Sequence, residues 1–317
     1  MSQILTVTLN PALDVHSHIQ CLAPGEKMRT TSSCFLPGGG GVNVSRAIQS
    51  LNGKSRCFYL KGGPVGSYLE LLMDDIGLEQ HYVPIQDNNR HHFNVLDEST
   101  GQHYRFGMPG PCVSPDEMTA TLNYFHNLQD VYGSIAVLSG SIPSGLPHDF
   151  YARITRILKA KNMKVVVDAK GSALKAAVRE GAYLFKMNLD EFSQLADFDP
   201  EDISSIIRAG KNFVRQHDVQ KVILSMSDKG AIGICGDESM FIRVPETIGH
   251  HVVGSGDSMV AGIVMNLGCQ MSTQDGLMYG VAAGTSCALS PMDELCRRDR
   301  TEEFFKSIQS NYFFVKT

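Results

Sequence analysis

Three clusters of polar residues in this chain have the types and spacing that chemistry requires. The first is Gly254-Ser255-Gly256-Asp257, which runs straight into an apolar helical stretch of Met259, Val260, Ile263 and Val264. Small residues at a helix start leave backbone N–H groups free, and such a terminus binds anions, phosphate above all. A carboxylate in that first turn is either a helix cap or a base. Beside a phosphoryl group it can accept the proton of an attacking hydroxyl. The second cluster is Pro37-Gly38-Gly39-Gly40-Gly41-Val42-Asn43, again opening a helical pattern. Glycines let the main chain approach a ligand closely, and Asn43 can cap the helix or reach a ligand hydroxyl. It is neither a dinucleotide fingerprint nor a lysine-containing phosphate loop. The third is Lys186-Met187-Asn188-Leu189-Asp190-Glu191. Asn188 and Glu191 are three apart and share a helix face. An amide oxygen with a carboxylate suits hydrated Mg²⁺, which takes few protein ligands.

These clusters need elements to hold them. Apolar runs at Ile4–Thr8, Ile135–Ser139, Lys164–Asp168, 183–187 and 221–226 predict strands buried on both faces. Val44, Ala47, Ile48 and Leu51 recur with helical spacing, as do Leu69, Leu72, Met73 and Ile76. The alternation predicts an α/β fold, a doubly wound, mostly parallel sheet with helices on both faces. Ligands of such sheets bind beyond the carboxyl ends of the strands. The polar residues to read are therefore Asn10 and Asp14, residues 38–43, Ser139 to Ser141, Asp168, Lys186 to Asn188, Ser225 to Ser227, and the stretch before Asp257.

Two β-branched, polar segments interrupt the pattern. Residues 15–22 and 27–36 read as a hairpin turning at Pro24-Gly25; Arg90–Asp97 and 102–108 read as a second. The expectation is one α/β domain over 1–317, carrying a small β-sheet lid from 15–36 and 88–108. Lid apolar residues such as Ile19, Leu22, Phe93 and Val95 exceed what one small sheet covers. A second copy burying the rest as a two-fold homodimer is expected.

Composition excludes other classes. The 317 residues are 43% hydrophobic and 19% charged, with a formal net charge of −5, so no basic field invites nucleic acid or anionic lipid. No apolar run spans a membrane, and the N-terminal residues lack the features of a signal peptide. Eight cysteines without a CxxC pair read as reduced thiols of a cytoplasmic protein. The pairs His16/His18, His91/His92 and His250/His251 lack further ligands at metal spacing.

Taken together and in this order, the segments LTVTLNPALD, PGGGGVNVSRA, SGSIPSG, KMNLDEF and VGSGDSMVAG resemble the ribokinase-like (PfkB) family of sugar kinases over nearly the whole chain. The TLNP-x-x-D opening marks the family's phosphosugar branch, with type II ATP-dependent 6-phosphofructokinases nearest. The resemblance implies phosphorylation of a sugar phosphate, fructose 6-phosphate to fructose 1,6-bisphosphate foremost. The alternatives are tagatose-6-phosphate kinase and 1-phosphofructokinase, in which the Gly40 position often carries lysine. A sugar-phosphate-binding regulatory protein with little turnover is the alternative of another class. The resemblance further implies ATP and Mg²⁺. It makes Asp257 the catalytic base and Gly254, Ser255 and Gly256 the anion hole. Asp14, Gly38, Gly39, Asn43 and Ser139 become sugar contacts, with Lys27 and Arg90 as ligands of the substrate phosphate. Arg29 and Arg105 lie near them in sequence. Lys186, Asn188, Ser225, Ser227 and Gly230 fall to the nucleotide, with Asn188 and Glu191 orienting the metal through water. Four features depart from the pattern. Lys186-Met187-Asn188 replaces the common lysine-proline-asparagine. Ser225-Met226-Ser227 replaces serine-x-glycine, Asp168-Ala169-Lys170-Gly171 differs from the usual aspartate segment, and residues 286–296 lack the glycine of a monovalent-cation loop. Dependence on K⁺ is therefore expected to be weak or absent.

Overall fold

The apolar runs read as buried strands lie side by side. In the computed structural model, residues 3–131, 133–244, 253–269, 272–291 and 293–310 are described. The first part of the chain supplies β1 (Ile4–Thr8), β2 (Ala12–Ile19), β3 (Ser32–Gly38), α1 (Gly40–Ser50), β4 (Arg56–Gly62), α2 (Gly63–Asp75), β5 (Glu79–Ile85), β6 (Arg90–Asp97), β7 (Gln102–Gly107) and α3 (Pro115–His126). Next come β8 (Ile135–Ser139), α4 (Phe150–Ala160), β9 (Lys164–Asp168), α5 (Gly171–Glu180), β10 (Ala182–Asn188), α6 (Leu189–Ser193) and α7 (Ile203–Gln216). The chain continues through β11 (Val219–Ser225), β12 (Ala231–Cys235), β13 (Glu238–Ile242), α8 (Ser255–Gly268), α9 (Thr273–Ala288) and α10 (Arg298–Ser310).

Nine strands form one sheet in the order β13-β12-β11-β10-β9-β8-β1-β4-β5. Pairing is parallel from β5 across to β11, and β12 with β13 closes that edge as an antiparallel hairpin. The chain steps outward from β1 in both directions, so the switch point lies between β1 and β8, where carboxyl ends part to leave a crevice. One apolar core, with Phe125, Phe150, Phe185 and Phe213, packs under α3, α4 and α7. The other, with Ile48, Val260, Val281 and Ile308, packs under α1, α8, α9 and α10. In α1 the predicted stripe of Val44, Ala47, Ile48 and Leu51 is fully inside. In α2 Leu69 and Met73 are buried, but Ile76 falls on the C-cap and is exposed.

A separate four-stranded sheet runs β3-β2-β6-β7. The two hairpins are antiparallel within themselves and join through parallel β2 and β6. The first hairpin differs from expectation. Its strands sit earlier and later than read, and β3 begins only at Ser32, so Lys27 lies exposed in the connecting loop. Pro24, Gly25 and the charges of Glu26, Lys27 and Arg29 favour solvated loop over ladder pairing there. Ile19 is also corrected as an uncovered apolar position, because it is buried. Phe93 is exposed, and Phe35 and Phe106 share its cross-strand row through Val15. His250 and His251 lie outside the described residues. Among the described residues, no group of three His, Cys, Asp or Glu could hold a metal, and no helix is long and apolar enough to cross a membrane.

One buried side chain ties the two sheets. Asn89 Oδ1 accepts from Gly62 N (2.8 Å) and Asn89 Nδ2 donates to the Leu60 carbonyl (3.0 Å), clamping the end of β4 beside the start of β6. Asn89→Ala strands both groups and is expected to cost about 2–3 kcal/mol in urea unfolding. A loss below about 0.5 kcal/mol would show that the clamp is incidental.

Candidate active site

The two glycine-rich clusters meet at the switch point. Helix α1 starts after Gly39 and α8 after Gly254, and neither N-terminus is capped by a side chain. Asn43 Nδ2 donates to Asp257 Oδ2 at 2.9 Å, joining the helices across 214 positions of sequence. Ser139, buried at the end of β8, places its hydroxyl against Gly40; a Cβ at position 40 would lie 2.2 Å from Ser139 Oγ. At Gly38 the Asp14 carboxylate fills the space of a side chain, 2.1 Å from where a Cβ would stand. The same carboxylate pairs with His92, Nδ1 to Oδ1 at 3.2 Å.

Lys186 reaches the crevice from the carboxyl end of β10. Its ammonium donates to Asp168 Oδ1 at 3.3 Å and lies 2.9 Å from where a Cβ on Gly256 would be, so a side chain at 256 would make the ammonium shift. Burial pushes the Lys186 pKa down, but the carboxylates of Asp168, Asp257 and Glu191 outweigh it and hold the group above its ordinary value. Asp257 goes the other way. Burial raises its pKa, the Asp168 carboxylate adds to this, and the Asn43 amide and Lys186 pull back only in part, leaving it at about 7. An ordinary aspartate near 4 is a weak base. This one takes a proton readily at neutral pH, which its neighbours, not its own chemistry, determine.

At the other side of the crevice Arg90 stands on β6. Its Nη2 donates to the Asn10 carbonyl (3.1 Å) and Ser141 Oγ (3.3 Å), while Asn10 Nδ2 donates to the same hydroxyl at 3.0 Å. The buried Arg90 Nε has no hydrogen-bond partner among the described residues, so part of the guanidinium fork remains for an anion. Lys27 makes no hydrogen bond or ion pair among the described residues and is exposed.

Asn188 and Glu191 form a capping box at the start of α6. Asn188 Oδ1 accepts from Glu191 N (2.7 Å), and Glu191 Oε2 accepts from Asn188 N (2.9 Å). Lys170 stands 3.6 Å from Glu191 Oε1. With these oxygens already engaged, the pair fits a hydrated Mg²⁺ gripped through its waters and does not fit a direct cage. In the neighbouring loop Ser225 Oγ donates to the Met187 carbonyl (3.3 Å), and Met226 N closes a turn onto the Gly230 carbonyl. Ser227 holds φ at 55°, the left-handed region that glycine occupies at least cost.

Four contributors to the site carried no role from sequence. Asp168, Asn10 and Ser141 were visible as polar residues after apolar runs, but their partners stand on other strands. Arg46 is three residues after Asn43 on the same helix face, which was the available signal. Its guanidinium donates to the Pro37 carbonyl (3.0 Å) and to Asn43 Oδ1 (3.4 Å).

Comparison with known proteins places this geometry. The model of the pfkB family carbohydrate kinases matches residues 8–296. The chain is 31% identical over 306 residues to ATP-dependent 6-phosphofructokinase isozyme 2 of Escherichia coli, covering 96% of this chain and 98% of that one. It is 32% identical over 305 residues to 1-phosphofructokinase of Bacillus subtilis, covering 96% and 97%. The crystal structure of phosphofructokinase-2 from Escherichia coli in complex with potassium superposes with a TM-score of 0.93 at 30% identity, over 98% of this chain and 100% of that one. On this sheet and with these relatives, the crevice that holds the Asp257 carboxylate, the uncapped start of α8 and the Arg90 guanidinium is that of a phosphotransferase acting on a sugar hydroxyl: the chain belongs to the pfkB family of carbohydrate kinases.

Proposed function

We propose that the chain transfers the γ-phosphoryl group of ATP to the free primary hydroxyl of fructose 6-phosphate. The observation that carries this reading is Asp257 in the first turn of α8, hydrogen-bonded to Asn43 and flanked by the Lys186 ammonium. Arg90, with its unsatisfied Nε, supports an anionic substrate group at the other side, joined by Lys27. Asp14, Gly38, Gly39, Asn43 and Ser139 line the space between for the sugar. Gly40 supports fructose 6-phosphate over the alternatives, because a side chain there would collide with Ser139.

The steps follow from the geometry. Asp257 takes the hydroxyl proton onto a carboxylate oxygen as the sugar oxygen bonds to the γ-phosphorus. The bond from that phosphorus to the β,γ-bridging oxygen breaks, and ADP leaves with the electron pair. Gly254, Ser255 and Gly256 present N–H groups to the equatorial oxygens, and Lys186 supplies positive charge beside them. Lys186, Asn188, Ser225, Ser227 and Gly230 hold the nucleotide. Asn188 and Glu191 would hold a hydrated Mg²⁺ through its waters, and that ion would supply positive charge to the phosphates. Most of the gain is orientation and charge placement.

The small sheet supports a two-fold homodimer. Phe35, Phe93 and Phe106 present one exposed aromatic row, and a second copy would cover it. Lys27, exposed in its loop, would then serve the partner's site.

Four outcomes test this reading. A panel of phosphosugars read by ADP release should give fructose 6-phosphate the highest kcat/KM; equal or greater turnover of tagatose 6-phosphate or fructose 1-phosphate reassigns the substrate, and no ADP from any marks a binding protein. Asp257→Asn should bind both substrates yet lose at least about a thousand-fold in kcat, and near-normal turnover removes the base. That variant should also be more stable. The folded pKa of about 7 exceeds the unfolded 3.8, so wild-type stability falls as pH rises from about 4 to about 7 and is level above. Discounting for partial exposure, the asparagine protein should gain about 2 kcal/mol in melts at pH 8 and nothing at pH 4. Equal gains at both pH values would contradict a raised pKa. Phe106→Asp, finally, should convert a micromolar dimer to monomer in sedimentation; a wild-type chain already monomeric there would remove the dimer.

A further inference from the structure

Asn43 faces two demands at once, and they are of opposite kind. Its amide has a donor end and an acceptor end, and the two can exchange by a half-turn about the last side-chain bond. One end meets Asp257 Oδ2 at 2.9 Å and the other meets Arg46 Nη1 at 3.4 Å. Arginine has only donors, so whatever faces Arg46 must accept. That assigns Oδ1 to Arg46 and leaves the NH₂ group for Asp257. Arg46 is itself fixed, because the same Nη1 donates to the Pro37 carbonyl at 3.0 Å, at the end of β3. The guanidinium therefore cannot turn away without losing both partners.

We propose that Arg46 is a positioning residue of this site, which orients the Asn43 amide so that its NH₂ group meets the Asp257 carboxylate. The proposal rests on Asp257 being the base. Its consequence is a choice between protonation states. With NH₂ forward, Asn43 donates to ionised Asp257, the form that accepts a proton. Turned over, Oδ1 would face Asp257 and could only accept from the protonated acid, which is useless as a base. Arg46 blocks that arrangement, because it would set amide N–H groups against guanidinium N–H groups. Losing Arg46 opens it, so the acid holds its proton to higher pH. Other groups around Asp257 are Lys186 from β10, Asp168 from β9, Asp14 from β2 and Cys287 from α9. None of them hydrogen-bonds to the Asn43 amide, so the effect can be separated from theirs by mutating residue 43.

The test is the pH profile of kcat for fructose 6-phosphate at saturating ATP, from pH 5.5 to 9, in the full-length protein. Arg46→Gln can accept as well as donate and no longer dictates the orientation. It should move the acid limb up by about half a pH unit or more and so lower kcat at pH 7 about two-fold or more, with KM for ATP unchanged. Arg46→Lys, again a pure donor, should keep the wild-type limb and recover most of kcat. Arg46→Met retains the packing of the stem and replaces the glutamine variant should that one not fold. In an Asn43→Ala background, adding Arg46→Gln should move the limb no further. An undiminished shift in that background means Arg46 acts through its charge and overturns the proposal, as does a wild-type limb in both Arg46→Gln and Arg46→Met. Turnover surviving in Asp257→Asn would instead defeat the base assignment. An inactive Asp257→Asn with an unmoved Arg46→Gln limb defeats only the positioning role.

Discussion

The hydrogen bond between Asn43 and Asp257 is the constraint around which the rest is arranged. A carboxylate at the rim of a buried crevice is costly to keep ionised. Here it sits with two more carboxylates, Asp168 and Asp14, whose charges work against it. The fold answers with one amide and one ammonium, each brought from a different element. Asn43 comes from α1 and Lys186 from β10, and neither could reach residue 257 unless β1 and β8 parted where they do. The balance stops short of full compensation. The result is a group poised to exchange its proton near neutral pH, which a better-compensated site would not provide.

The close packing around this bond explains why so many small residues are needed. At Gly38 the space of a side chain belongs to Asp14, and at Gly256 it belongs to Lys186. In both cases a polar side chain from another strand has been laid against bare main chain. A methyl group at position 38 would displace the Asp14 carboxylate, and one at position 256 would make the Lys186 ammonium give way.

How much of this the sequence disclosed depends on how local each feature is. The glycine runs, the first-turn aspartate and the helical stripe of α1 are written in consecutive residues, and the structure places them as read. The parallel core was also legible, since strands such as Ile135–Ser139 and Lys164–Asp168 are apolar on both faces. The first hairpin was not. Its polar, β-branched residues mark extended chain but fix no register, and the pairing of β2 with β6 is set across 78 positions, as in Ala12 with Arg90. The proton affinity of Asp257 was invisible for a similar reason. It depends on Asp168 and Lys186, which the sequence puts on separate strands without saying how near they come. The left-handed φ of Ser227, by contrast, was foreshadowed by the missing glycine in the nucleotide loop.

Arg46 shows how the small sheet and the chemical centre share one support. Pro37 is the next-to-last residue of β3, and Asp14, whose charge also bears on the guanidinium, belongs to β2. Both strands are part of the four-stranded sheet, while Asn43 and Arg46 belong to α1. The guanidinium thus bridges the base of that sheet to the amide that meets Asp257. A displacement of β3 that carried Pro37 with it would have to drag or release Arg46, and the orientation of Asn43 would answer. Arg90, on β6, belongs to the same sheet, two strands from Pro37. The Arg90 side of the crevice and the Asp257 carboxylate are therefore joined through paired strands and the hydrogen bonds from Pro37 to Arg46, Asn43 and Asp257, a contiguous physical path between the two sides.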